Sequence, residues 1–110
     1  MARMNSLGYL VCNGVPLTAA SLPCNKIAIQ AMPTTAVFTG APTNAAGEVI
    51  FIGKQGMNKA TGAGVYAFVM PGGGLVIGDE YNDDVFDANR DFYVDSQTGA
   101  GVIAGFAYQR

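Results

Sequence analysis

The sequence predicts an all-β domain: an antiparallel β-sandwich or jelly-roll-like arrangement of seven to eight short strands. Three observations predict it. No window of about 11 or more residues repeats apolar positions at steps of three and four, the mark of an amphipathic helix. Short apolar segments recur instead between clusters of turn-forming residues. Half of the residues are apolar, 15 are glycine and only 13% are charged. That is too apolar for a disordered chain and too rich in glycine for a helical one. The 110 residues make a single β domain, residues 1–110, with a thin core.

The segments follow in order. Residues 8–12 (GYLVC) read as a first strand, and NGVP after them as a turn. Residues 26–32 (KIAIQAM) alternate, with Ile27 and Ile29 on one face and Ala28 and Gln30 on the other. Pro23 and Pro33 bracket that strand, because proline cannot donate to a ladder. Residues 36–39 (AVFT) read as a short strand and GAPTNAAG as a loop. Residues 48–53 (EVIFIG) form a nearly continuous apolar strand, expected to be buried on both faces. A long loop, GKQGMNKATGAG, leads to a strand at 65–70 (VYAFVM). PGGG at 71–74 is the sharpest turn signal, since Pro71 fixes φ and glycine accepts positive φ. Residues 75–78 resume as a strand. DEYNDDVFDANRD has room for one helical turn capped by Asn82 or Asp83. Residues 92–95 (FYVD) and 101–108 (GVIAGFAY) complete the set; Val102, Ala104, Phe106 and Tyr108 share one face of the last strand.

Charge is uneven. Asp79, Glu80, Asp83, Asp84, Asp87, Asp91 and Asp95 fall close together, with Arg90 the one base among them. A solvated acidic loop is one reading; an acidic contact surface or cation site is the other. No basic cluster with interleaved aromatics is present, so no direct nucleic-acid partner is expected. The apolar runs fall far short of the roughly 20 residues of a membrane-spanning helix, and no membrane partner is expected. No signal-peptide pattern appears, so the chain is expected to be made and retained in a cytosol.

Several motifs imitate binding sites and fail on spacing. Gly47 and Gly53-Lys54 suggest a phosphate loop, but five residues separate the glycines. Gln55 stands where a hydroxyl is needed, and no helix is expected after Lys54. GGGLVIG misses the dinucleotide spacing by one residue. Asp87, Asn89 and Asp91 imitate the start of an EF-hand loop, but Phe92 and Thr98 replace its glycine and glutamate. A looser cation site from Asp79, Asp83, Asp84 and Asp87 remains as a weak metal candidate. Otherwise no metal and no cofactor is expected.

Cys12 and Cys24 have no histidine to activate them, because the chain contains none. They read as small hydrophobes, with a Cys12–Cys24 disulfide as the open alternative. No catalytic residue is assigned and no enzymatic activity is expected. The apolar content is instead high for so thin a core. Met1, Met4, Leu7 and Tyr9 near the N-terminus, and Met57 in the long loop, point to contacts with other chains. Residues 1–7 are expected to act as a contact arm. The loops at 40–47 and 54–64 are further expected contacts.

The order of ARMNSLGYLV, LPCNKIAIQA, VIFIGKQGMNKATGAGV, MPGGGLVIGDE and DFYVDSQTGAGVIAGFAY resembles a group of small tailed-bacteriophage virion proteins, β-rich and of the capsid decoration or cement type. The shared pattern is a Pro-Cys strand with Ile-Gln, a Gly-Met-Asn loop, a Pro-Gly turn into a strand, and a Tyr-Val-Asp strand before a Gly-x-Gly-Val hairpin. Residues 79–90 match least. The resemblance implies a virion structural protein, assembled in the host cytoplasm, that binds the outer capsid surface. It implies a homotrimer at local three-fold positions, with the major capsid protein as partner. Lys54, Met57 and Asn58 fall in its recognisable loop and join Met4, Leu7 and Tyr9 as interface candidates. The alternatives are a tail, fibre or adaptor subunit, or a calcium- or carbohydrate-binding module using the acidic segment.

Overall fold

The computed structural model describes residues 3–79 and 85–109. Every regular element among them is a strand: β1 (Arg3–Ser6), β2 (Leu10–Cys12), β3 (Val15–Pro16), β4 (Pro23–Cys24), β5 (Lys26–Ala31), β6 (Ile50–Gly53), β7 (Val65–Val69), β8 (Gly74–Gly78), β9 (Phe86–Asp87), β10 (Tyr93–Ser96) and β11 (Gly101–Gln109). All pairings are antiparallel.

The main sheets run β1-β11-β5-β8 and β3-β10-β6-β7, and β2 also pairs with β11. β1 pairs with residues 106–109 of β11 and β2 with residues 101–103. Because β5 holds the other edge of β11, β1 and β2 act as one interrupted strand. The remaining pair, β4-β9, has two residues in each strand. Set apart, it leaves eight principal strands. Successive connections β2–β3, β5–β6, β7–β8 and β10–β11 pass from one sheet to the other. That crossing, with the two strand orders, is the jelly-roll form of the sandwich.

Alternation explains which side chains enter the core. Ile27, Ile29 and Ala31 of β5 are buried, whereas Lys26, Ala28 and Gln30 face outward. Ile103 and Ala107 of β11 lie opposite Ala31 and Ile27 on the same inner face. Ile50 and Ile52 of β6, Val94 of β10 and Cys12 of β2 fill the space from the other elements. Gly105 is required by close approach: a Cβ there would overlap the Ala28 carbonyl oxygen.

The Pro71 turn forms as expected. Gly73 N donates to Met70 O at 2.8 Å, and Gly72 has φ of 81°. This four-residue turn carries the chain from β7, an edge of one sheet, to β8, an edge of the other.

The segment expected as a contact arm is, from Arg3 to Ser6, an edge strand on β11. Three expectations need correction. Residues 36–39 form no strand; they bend into a turn closed by Ala41 N to Phe38 O, 3.0 Å. β6 begins at Ile50, because Glu48 N closes a turn on Ala45 O, and Phe51 is half-buried on the outer face. Cys12 and Cys24 are both buried and free, so the disulfide alternative falls. The expected capped helical turn at Asn82 or Asp83 lies outside the described residues.

Candidate interaction surface

The outer face of the β1-β11-β5-β8 sheet is built from the residues that alternation turns away from the core. Met4 lies opposite Tyr108, Val11 opposite Val102, Phe106 opposite Ala28, and Ala28 opposite Val76. Large apolar groups therefore stand on a floor of small ones, Ala28 and Ala104. Met4, Tyr9, Val11, Phe38 and Val76 are between 49% and 67% exposed. A face meant only for water normally alternates to polar residues; here Lys26 and Gln30 are the polar side chains of β5 that interrupt it.

Two open depressions mark this face. One, of about 360 Å³, lies among Ala28, Gln30, Val76, Ala104 and Phe106. The other, of about 260 Å³, lies among Tyr9, Gln30, Met32, Val37, Phe38 and Ala104. They share Gln30 and Ala104 and so lie side by side; together they make up the trough of this face. Val37 and Phe38 reach it from the long β5–β6 connection, which Asn44 fastens down. Asn44 Nδ2 donates to Met32 O (2.7 Å) and Val102 O (3.0 Å), and its Oδ1 accepts from Val102 N (2.7 Å). Glu48 fixes the same connection to the β10–β11 turn by accepting from Thr98 N and Oγ1, at 3.1 and 2.7 Å. Burial pushes the Glu48 carboxyl up, but the Thr98 hydrogen bonds, with help from Ser96 and Lys59, outweigh it and leave the pKa lowered.

The expected interface residues divide. Met4 and Tyr9 stand on the exposed apolar face. Leu7 packs against the core, and its N–H donates to Gly105 O at 2.9 Å. Met57 turns its sulfur toward Gly53, where an added Cβ would meet it at 3.1 Å. Asn58 organises its own loop: Oδ1 accepts from Ala60 N and Thr61 N at 2.9 and 3.2 Å, and N donates to Ala63 O at 2.8 Å. The Lys54 stem lies along Gly64, and Lys54 has no ion-pair partner among the described residues. The loop cation with defined contacts is Lys59, which reaches Asp95 Oδ1 at 3.3 Å and Ser96 O at 2.7 Å.

Asp87, one of the weak metal candidates, fastens loops together. Its carboxylate accepts from Ser21 Oγ, from Leu22 N (3.0 Å) and from Asn89 N (2.9 Å). Those donors join the loops on either side of the β4-β9 pair. The Ser21 hydrogen bond, followed by the Leu22 and Asn89 amides, holds its pKa down at about 2. Asp79 N donates to Asn25 O at 3.1 Å, while Asp83 and Asp84 lie outside the described residues. No group of three or more metal-ligating side chains converges among the described residues.

The two thiols offer little chemistry. Burial, with Asp95 and Glu48 nearby, pushes Cys12 up to about 12. Burial and Asp87 push Cys24 up to about 11. Both are therefore protonated at neutral pH and closed to solvent.

Comparison with protein-family models, with curated proteins and with solved structures finds no match for this chain.

Proposed function

We propose that this protein is a non-enzymatic bacteriophage virion subunit of the capsid decoration or cement type. It docks the apolar outer face of the β1-β11-β5-β8 sheet on the major capsid protein at the outer surface of the head. The observation that carries this reading is that face: Met4, Val11 and Val76 stand exposed on its strands, and Tyr9 and Phe38 stand exposed on connecting segments beside them, next to the two depressions. Exposed apolar area of this kind marks a surface that another protein covers. The jelly-roll arrangement adds a weaker, analogical argument, since viral capsid domains use it alongside lectins and cupins. The inert thiols favour a binding role over nucleophilic chemistry.

In this reading each subunit contributes a modest apolar contact. Repetition over a shell, with each subunit touching more than one capsid chain, turns modest contacts into strong retention. The test is co-sedimentation with heads stripped of their accessory proteins, followed by electron microscopy of the loaded particles. Retention on the head surface, reduced by Val76→Asp, is the expected result. Heads that retain none of the protein at tens of micromolar, or retention unaffected by charges placed in the trough, would sink the reading.

A further inference from the structure

The shortest connection between the two main sheets is Asn13-Gly14, the pair of residues between β2 and β3. On one side of it Cys12 pairs with Gly101, and on the other Val15 pairs with Val94. Asn13 is also the only asparagine in the chain that is followed by glycine. Both residues of the pair are exposed. Among the described residues no hydrogen bond engages the Asn13 side chain. The backbone of the pair, by contrast, is held. Gly14 N donates to Val94 O at 2.9 Å, with Gly14 at φ of 85°. Just before the pair, Ser96 Oγ donates to Cys12 O at 2.8 Å.

We infer that Asn13 is a site of spontaneous covalent conversion, in which the Gly14 amide nitrogen attacks the Asn13 carboxamide and the Gly14–Val94 hydrogen bond sets the rate. The step consumes only water. Gly14 N gives its proton to hydroxide and bonds to Asn13 Cγ. The carboxamide C–N bond breaks, and ammonia leaves with a proton from water, which returns the hydroxide. The product is a cyclic succinimide. Water then adds to either ring carbonyl. Opening at Cγ leaves aspartate; opening at the Asn13 main-chain carbonyl leaves isoaspartate, whose main chain runs through Cγ. Glycine matters at the second position because no Cβ crowds the attacking nitrogen. Attacking and attacked atoms belong to adjacent residues, so the reaction needs only a turn of the backbone. The folded geometry holds that turn back. While Gly14 N donates to Val94 O, its N–H is closed to hydroxide and its nitrogen cannot swing toward Asn13 Cγ. Conversion therefore passes through local opening of the β2–β3 bend, which does not require the sheets to part. The change then weakens the joint it formed in. A new carboxylate enters beside Gly14, where Asp95 Oδ2 would lie 3.9 Å from an added Cβ, and like charges oppose each other there. Isoaspartate also lengthens the connection, so the spacing that lets Gly14 N meet Val94 O is lost. Nothing in this depends on what the trough binds.

Incubation of the purified full chain at mildly alkaline pH, followed by peptide mapping with mass spectrometry, tests it. The folded wild type is expected to convert slowly at residue 13, ahead of every other asparagine, to a mixture of aspartate and isoaspartate. Unfolding in guanidinium chloride is expected to speed the conversion about tenfold or more, as for an amide released from protection. Ser96→Ala, which frees the Cys12 carbonyl beside the bend, is expected to speed it in the folded protein. Ser21→Ala, which loosens the loops around the β4-β9 pair instead, is expected to leave the rate unchanged. Conversion as fast in the folded chain as in the unfolded one overturns the protective role of the Gly14–Val94 bond. Aspartate as the sole product, or earlier conversion of a different asparagine, overturns attack by Gly14. No acceleration by Ser96→Ala, or equal acceleration by both variants, overturns opening of this bend as the step that sets the rate. If Ser96→Ala does not fold, Val15→Ala, on the short strand at the other end of the bend, takes its place.

Discussion

Ser96 joins the two sheets through a single hydroxyl. It is fully buried on β10; its Oγ donates to Cys12 O of β2 at 2.8 Å and accepts from Gly101 N of β11 at 2.9 Å. Removing the hydroxyl strands a buried carbonyl and a buried amide together. Ser96→Ala is therefore expected to lose about 1–3 kcal/mol of unfolding free energy, read from urea denaturation. A midpoint unchanged from wild type would show that water replaces the hydroxyl. Asp87 gives the pH counterpart. Its folded pKa of about 2 lies below the ordinary 3.8. The stability it contributes is present above about pH 4 and is lost as pH falls from there toward 2. Glu48 and Asp91 are shifted down too and add to the same acid loss. Asp87→Asn should be less stable than wild type near pH 7 and show a shallower decline below pH 4, measured by thermal melts across that range (roughly the carboxylate window). Parallel curves would remove Asp87 from the acid transition. Neither role was legible in the sequence. Ser96 reads as one turn residue in DSQTG, and Asp87 as one acid among many, because partners 84 and 66 residues distant leave no local pattern.

Among the elements, β5 and β11 were the most legible and the β5–β6 connection the least. β5 alternates strictly, and its buried and outward positions are those that period two assigns. The Pro-Gly turn was equally legible, because its chemistry is local. The two-residue strands β4 and β9 carry no periodic signal of their own. Their pairing depends on loops brought together by the sheets. Residues 36–39 misled for a related reason: Val37 and Phe38 look like half a strand but are displayed on a loop. Asn44 makes that display possible. Asn44→Ala leaves the Val102 amide and the Met32 carbonyl without their partner, so residues 33–48 should open locally more often than the sheets do. Hydrogen exchange is expected to speed up for amides in this connection and at Val102, and little within β6 or β10. Uniform acceleration across both sheets would instead make Asn44 a global support.

At the scale of the molecule, the extents of 39 × 36 × 21 Å describe a slab one sandwich thick. A slab that thin places much of its apolar content on broad outer faces, and this chain leaves one of them uncovered. The sequence disclosed the surplus of apolar residues but not their location. Met4 was legible because it stood near the N-terminus, outside any expected strand, and Tyr9 because it stood near the start of the first expected strand beside it. Val11 and Val76 were hidden inside ordinary-looking strands, where only the pairing register distinguishes the outer from the inner face. The face yields a prediction that separates binding from folding. Val76 packs against solvent on an edge strand, so Val76→Asp removes no core contact, and its effect on unfolding free energy should stay within about 0.5 kcal/mol. The same change puts a carboxylate beside Ala28 and Phe106, in the floor and wall of the trough. A partner that covers the trough must then bury that charge without a counter-ion, which costs several kcal/mol. Binding of the fluorescent apolar dye ANS to the native protein should fall with Val76→Asp while the urea midpoint holds. A fallen midpoint would mean that Val76 supports the fold, and unchanged dye binding would mean that the trough is not the protein's accessible apolar surface.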